Sequence, residues 1–167
     1  MRVWLFTLVF TSSVAAAQNP FDAAKQLVGD ATTKKLEQEI NKRLLAEGRK
    51  NQCSFKTDSD ELVPGCDKKM KNLATALIDA KKKLNGAGIS NYKFEVSGHT
   101  DTTGSAEHNK ELSAKRAAVI VKELVGRGVP QGEIIPVGVG SDRPLVKPDD
   151  TAAKKAKNRR YEIQVRL

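Results

Sequence analysis

Beyond the first fifty residues, two hydrophobic periods alternate along the chain, and this alternation restricts the fold more than any other feature. Apolar residues three or four positions apart predict helices over 66–85 and 105–127, because this spacing places them on one helical face. Between these helices, Tyr92, Phe94 and Val96 alternate with polar residues, as in a strand with one buried face. Three further strands are predicted at 52–57, 134–139 and 161–165. A helical turn is predicted at 150–157. This order predicts a layered α/β fold, βαβαβ(α)β, in which helices cover a small sheet.

The first 17 residues have the three regions of a secretory signal peptide in the expected order. Arg2 supplies a positive start, residues 3–10 are an apolar run, and residues 15–17 provide the small residues of a cleavage site before Gln18. The run is too short to span a membrane, and no other stretch reaches 18 apolar residues, so no transmembrane segment is predicted in the mature chain. The alternative is a buried strand over 3–10. The order of the three regions favours export.

Export has a consequence for the two cysteines, Cys53 and Cys66. An oxidising compartment allows them to form a disulfide. The alternatives are two free thiols or a metal-binding pair. A disulfide would have a structural role, since it would close the loop 54–65.

Residues 18–50 are predicted to form a helical leader. Leu36, Ile40 and Leu44 recur every four residues, which predicts an amphipathic helix over 32–47 after a looser segment, 18–31. The apolar stripe is narrow, as expected of an appendage that packs on another surface. That surface is either the chain's own domain, which we predict, or another protein.

The net charge of +9 raises the question of an anionic partner. Nucleic acid is not predicted, because an exported chain seldom meets it and because aromatic residues, at 5%, are too few for a base-stacking surface. The lysine-rich stretches are interpreted as solvated faces that attract anionic envelope surfaces.

One turn and the helix after it contain the residues best suited to bind a ligand. Asp101 follows a predicted strand, while Asn109, Leu112 and Arg116 share one face of the following helix. If the turn folds back onto the helix, a carboxylate and a guanidinium flank one cleft. That pair suits a ligand with both an ammonium and a carboxylate. The alternative is an ordinary salt bridge between Asp101 and Arg116.

Four sequence motifs follow one another in order: G-H-T-D-x-x-G at 98–104, N-x-x-L-S-x-x-R-A at 109–117, G-x-G-x-x-x-P at 138–144 and N-R-R at 158–160. Together with F-x-x-D-S-x-x-L at 55–62, they resemble the OmpA-like peptidoglycan-binding domain, which occurs in OmpA porins, in the lipoprotein Pal and in MotB stator proteins. The resemblance covers residues 52–167 and implies the family's small mixed sheet covered by helices.

The resemblance also implies a ligand, the meso-diaminopimelate of the peptidoglycan stem peptide. Asp101 would hold its ammonium and Arg116 its carboxylate. By the same resemblance, the other pocket residues are Asp58, Thr103, Asn109 and Leu112, and the supporting residues are Thr57, His99, Asn158 and Arg160. Here His99 belongs to the turn that orients Asp101.

The chain departs from the family pattern at two places. Lys154 and Lys155 stand where the family often has Gly-Arg, which leaves a second ligand-side arginine unassigned. Lys115 stands where a small residue is common, and we expect it to alter the preference for charged or amidated stems.

Catalysis and metal binding are not predicted. His99 and His108 are the only histidines, and the chain has no H-E-x-x-H motif. No paired acid and base is evident, and Ser113 has no histidine partner nearby in sequence. We therefore predict a binding module with no cofactor.

The predicted organisation is a signal peptide at 1–17, a leader at 18–50 and the OmpA-like domain at 51–167. Without a lipidated cysteine at the cleavage site or a transmembrane helix, the chain is expected to be a stand-alone member, in the periplasm or associated with the outer membrane. The alternative function is an envelope adaptor whose leader helix binds a membrane protein and for which wall binding is one input.

Overall fold

The computed structural model describes the backbone of residues 20–167 and the side chains of residues 29–167. The predicted signal peptide lies outside the described residues. The chain divides after Lys34, and the unit from Lys35 to Leu167 is compact.

Four helices and three strands make up the described chain, and most lie where the hydrophobic spacing predicts them. In chain order they are α1 (Pro20–Lys50), α2 (Asp67–Gly86), β1 (Lys93–His99), α3 (Ala106–Val125), β2 (Ile134–Gly140), α4 (Ala152–Asn158) and β3 (Arg160–Arg166), with a short 3₁₀ helix at Gln131–Glu133. The layered α/β prediction is confirmed.

The three strands form one small mixed sheet in the order β2-β1-β3. The central strand β1 runs parallel to β2 and antiparallel to β3. Phe94, Val96 and Val165 are fully buried, because alternate residues of β1 and β3 point to the face that the helices cover. The core therefore lies between this face and α2 and α3.

Two glycines let α3 lie very close to the sheet. Gly98 and Gly138 are directly paired between β1 and β2. A Cβ on Gly98 would lie 2.2 Å from the carbonyl oxygen of Ser113, and one on Gly138 would lie 2.6 Å from that of Lys110. Any side chain at either position would push the helix away. The close approach holds the first turns of α3 against the carboxyl ends of β1 and β2, where the candidate site lies.

Helix α1 is longer than its apolar stripe predicts. It begins at Pro20, so the looser segment predicted over 18–31 is wrong from that residue onward. Proline favours the first helical position because its fixed φ suits a helix and its missing N–H has no helical partner there. Ile40 and Leu44 are buried in the core, and Leu36 packs against it, which confirms that the stripe docks on the chain's own domain.

Two side-chain amides of α1 and the following turn cover the free edge of β3. Gln52 donates to the carbonyl of Tyr161 at 2.7 Å and accepts from its N–H at 3.2 Å. Asn41 does the same for Val165, at 3.1 and 2.7 Å. These contacts satisfy backbone groups that an edge strand would otherwise expose.

The covered edge explains why the strand predicted at 52–57 is wrong. Because Gln52 occupies the edge with its side chain, the residues after it do not pair with β3. They fold back instead, with a single bridge between Phe55 and Leu62.

The predicted disulfide between Cys53 and Cys66 is confirmed, with their Cα atoms 5.7 Å apart. It closes the loop 54–65, hereafter the stapled loop. Within the loop, backbone hydrogen bonds join Lys56 to Glu61 and Val63 to Ser54, each at 2.9 Å. The stapled loop lies beside α3 and forms one wall of the candidate site.

Candidate functional site

A cleft of about 970 Å³ lies at the carboxyl end of β1. Its walls come from the stapled loop, the turn after β1, the first half of α3 and the junction of α4 with β3. The cleft is lined by all six predicted pocket residues, Asp58, Asp101, Thr103, Asn109, Leu112 and Arg116, and by the supporting residues Thr57, His99 and Arg160. The supporting residue Asn158 does not line it.

Asp101 is buried to 9% exposure and has two partners. One carboxylate oxygen accepts the N–H of Thr103 at 3.0 Å, and the other forms an ion pair with Arg159 Nη1 at 2.7 Å. Burial raises the pKa of the Asp101 carboxyl, but the hydrogen bonds from Arg159 and Thr103 outweigh it and lower the pKa below its usual value. Asp101 is therefore an anion at neutral pH.

Arg116 is held by the stapled loop. Its Nε donates to the carbonyl of Ser59 at 2.9 Å and its Nη2 to that of Lys56 at 3.3 Å, while the guanidinium carbon lies 5.1 Å from the centre of the Phe55 ring. Burial lowers the pKa of Arg116, although a guanidinium still remains charged. Neutral carbonyls and an aromatic face orient this cation without cancelling its charge.

No ion pair joins Asp101 to Arg116 among the described residues, so the alternative of an ordinary salt bridge is wrong. Both ionised groups line the same cleft, and each is oriented by other partners. The arrangement offers an acceptor and a charged donor to a ligand with both charges.

Thr103 and Asn109 fix the turn that carries Asp101. The Asn109 amide donates to the carbonyl of Thr103 at 2.9 Å, and Lys155 Nζ donates to the Thr103 hydroxyl at 2.9 Å. Ser105 caps α3 by accepting the N–H of His108 at 3.2 Å. The turn and the helix start therefore form one hydrogen-bonded unit.

Asp58 connects the stapled loop to α3. Its carboxylate lies 2.7 Å from Nε2 of His108, and its backbone has a positive φ of 49°. Both side chains are exposed, at 68% and 50%. Sequence reasoning missed this contact, because His108 lies fifty residues from Asp58 and belongs to none of the family motifs.

Asn158 lies behind the cleft and orders the loop after β2. It is fully buried and accepts the N–H groups of Leu145 and Val146 at 2.8 and 3.1 Å. It also donates to Asp149 at 3.0 Å, and Asp149 in turn accepts the N–H of Thr102 at 3.0 Å. This chain of contacts ties the loop after β2 to the turn that carries Asp101.

Two other predicted supporting residues, Arg160 and His99, make no hydrogen bond with Asp101 or Arg116 in the described structure. Arg160 is paired with Glu162 at 2.7 Å and donates to the carbonyl of Arg143 at 3.2 Å. His99 is buried, and its ring nitrogens have no hydrogen-bond partner in the part of the chain that the structure describes. Burial lowers the pKa of His99 to about 4, so the ring is neutral at pH 7. Its ring makes no hydrogen bond that would orient Asp101.

The structure adds two basic residues to the predicted set. Arg159 pairs with Asp101, and Lys155 reaches Thr103 in the cleft. Arg159 is the middle residue of the N-R-R motif, so the motif could have predicted that Arg159 belongs to the site. Lys115, expected near the ligand, pairs with Glu111 at 2.7 Å and does not line the main cleft.

A model of the OmpA family matches residues 54–159. The chain belongs to the OmpA family. The family assignment confirms the resemblance that the four motifs carry.

Two curated relatives illustrate the match. The peptidoglycan-binding protein ArfA of Mycobacterium tuberculosis is 46% identical over 73 residues, 44% of this chain. The peptidoglycan-associated lipoprotein of Pseudomonas aeruginosa is 32% identical over 110 residues, 66% of this chain. The chain spans 22% of the length of ArfA and 59% of the length of the lipoprotein.

Solved structures share the fold. The carboxyl-terminal domain of Helicobacter pylori MotB has a TM-score of 0.56 and 26% identity, with 70% of this chain and 84% of that domain covered. The peptidoglycan-associated lipoprotein of Burkholderia pseudomallei also has a TM-score of 0.56, at 23% identity, with 69% and 89% covered. Within residues 20–167, no helix combines the length and the apolar character needed to cross a bilayer.

Proposed function

We propose that this chain binds peptidoglycan noncovalently through the meso-diaminopimelate of the stem peptide, and that it links a periplasmic or outer-membrane-associated protein to the cell wall. One observation carries the proposal: the Asp101 carboxylate and the Arg116 guanidinium line one cleft and are not paired with each other. The free end of diaminopimelate has an ammonium and a carboxylate on one carbon, which matches these two charges.

The chemistry of the cleft assigns a role to each contact. The Asp101 carboxylate accepts hydrogen bonds from the ammonium, while the Arg116 fork donates to the carboxylate. Leu112 offers an apolar wall to the methylene groups between the two ends of the ligand. Thr103, Asn109 and Asp58 set the position of the turn and of the stapled loop around it.

The relatives support the same function. ArfA is named a peptidoglycan-binding protein, and the Pseudomonas relative is named a peptidoglycan-associated lipoprotein. These names describe attachment to the wall and not its cleavage, so the proposal is a non-catalytic one. The predicted signal peptide supports a periplasmic location, as does the periplasmic domain of MotB among the structural neighbours.

The adaptor alternative has less support. It needs the apolar stripe of α1 to bind a membrane protein, but Ile40 and Leu44 are buried in the chain's own core. Wall attachment alone accounts for the site.

Sedimentation with purified sacculi tests the proposal. Asp101→Ala and Arg116→Ala should each remove most of the binding, because an unpaired charge left in a desolvated site costs on the order of 2–5 kcal/mol. Arg116→Lys keeps the charge but loses the bidentate fork, and we expect it to bind weakly as well. Calorimetric titration with a diaminopimelate stem peptide measures the same losses directly.

Asp142→Asn is the matched control, because Asp142 is exposed, pairs with Lys110 and does not line the cleft. It should sediment like the wild type. Thermal unfolding of each variant separates a lost contact from a lost fold. Wild-type levels of binding by Asp101→Ala and by Arg116→Ala would contradict the proposal.

A further inference from the structure

The cleft is larger than one diamino acid requires, and α1 contributes to its lining. A volume of about 970 Å³ is at the upper end of the range for drug-sized ligands. Leu45, Arg49 and Gln52 contribute to its lining. All three precede residue 54, where the match to the family model begins. This part of the lining therefore lies outside the residues that match the family model.

The carboxyl-terminal end of α1 is held in place on both sides of Arg49. Leu44 is buried to 2% exposure in the core, and Gln52 makes two hydrogen bonds with the backbone of Tyr161. Arg49 lies between these anchors, in the last turn of the helix, where the helix dipole favours a cation. Its side chain is thus presented from a rigid element.

Within the part of the chain whose side chains are described, Arg49 has no counter-charge. Three other cations of the cleft are engaged, since Arg159 pairs with Asp101, Arg160 pairs with Glu162, and Lys155 donates to Thr103. Lys157 also lines the cleft and has no such partner among the described residues, but it lies in α4 and not in α1. Arg49 forms no ion pair or hydrogen bond with any residue that the structure describes. Its exposed guanidinium remains available to an anion that enters the cleft.

We propose that Arg49 forms a second, anionic subsite, which binds a further carboxylate of the stem peptide while Asp101 and Arg116 hold its diaminopimelate. This inference rests on the proposed function. The subsite selects the peptide over the free diamino acid, because only the peptide adds a glutamyl carboxylate to the two carboxylates of diaminopimelate. A planar guanidinium suits a carboxylate, which it binds with two parallel hydrogen bonds.

Calorimetric titration with two probes tests the subsite. The first probe is free meso-diaminopimelate, and the second is the stem tripeptide that ends in diaminopimelate and carries a free glutamyl carboxylate. Arg49→Ala should lower the affinity for the tripeptide about fivefold, the size of a partly exposed ion pair, and leave the affinity for free diaminopimelate unchanged. A tripeptide whose glutamyl carboxylate is amidated should bind wild type and variant equally.

Lys50→Ala is the matched control. It removes the same charge one residue away, but Lys50 pairs with Glu47 and does not line the cleft. It should bind both probes like the wild type. If Arg49→Ala and wild type bind the tripeptide equally, the proposal that Arg49 forms a subsite is wrong, while the proposed function is unaffected. If wild type binds neither probe, the proposed function fails first.

Discussion

Asp101 obtains its charge partner from the residue just before β3. The contact joins positions 58 residues apart, and its hydrogen bond is the largest of the effects that lower the pKa of the carboxyl. Burial alone would raise the pKa of Asp101, whereas the hydrogen bonds from Arg159 and from the Thr103 N–H lower it. Arg159 therefore keeps Asp101 able to accept an ammonium at acid pH.

Arg159→Ala should move the acid limit of ligand binding to higher pH. A lowered pKa means that the anion persists as the pH falls, until the folded-state pKa is reached. Without Arg159, only Thr103 offsets the effect of burial, so the pKa of Asp101 rises and its ammonium-binding form is lost at a higher pH. The affinity for diaminopimelate, measured by calorimetry between about pH 3 and pH 7, checks this.

Arg143→Ala provides the comparison, because it removes one exposed positive charge without touching Asp101. Its pH profile should match that of the wild type. An unshifted profile for Arg159→Ala would show that Arg159 does not control Asp101.

At the scale of helices and strands, the spacing of apolar residues predicted nearly all of the sheet and its covering helices. It failed where a side chain replaces a backbone interaction. Gln52 covers the edge of β3 with its amide, so the predicted strand at 52–57 does not form. The start of α1 was missed because Pro20 is a local signal and not part of the apolar stripe.

The stapled loop matters at this scale because it orients Arg116. The carbonyls of Lys56 and Ser59 accept from the guanidinium, and the disulfide holds both ends of the loop. The double variant Cys53→Ser, Cys66→Ser should bind diaminopimelate several-fold more weakly. It should also lose up to about 3 kcal/mol of stability, the chain-entropy value for a loop of this size.

Titration calorimetry and thermal unfolding measure these two effects. Dithiothreitol should weaken binding by the wild type and leave the double variant unchanged, which separates the disulfide from any effect of serine at a buried position. Equal affinities for the oxidised wild type and the double variant would show that Arg116 is oriented without the disulfide.

At the scale of the whole molecule, the sequence predicts only part of the candidate site. The motifs named the residues that line the cleft, since each motif is continuous in the chain. The contacts that orient those residues were not predictable, because Asp101 with Arg159 and Asp58 with His108 join distant segments. Nothing in a linear pattern specifies which charged residue approaches which across the fold.

The net charge of +9 adds a general attraction to anionic envelope material, and salt separates it from the specific site. Exposed charges are screened within about 8 Å at physiological ionic strength and within about 3 Å at 1 M, whereas buried groups are screened less. Asp101 and Arg116 are exposed by 9% and 8%, so added salt should weaken ligand binding at these two residues less than it weakens attraction to the exposed lysines.

Association with whole envelope fragments should therefore fall steeply as salt rises, while the affinity for the soluble stem peptide changes little. Sedimentation and calorimetry over the same salt series give the two slopes. Equal slopes would mean that the protein is held by its surface charge alone.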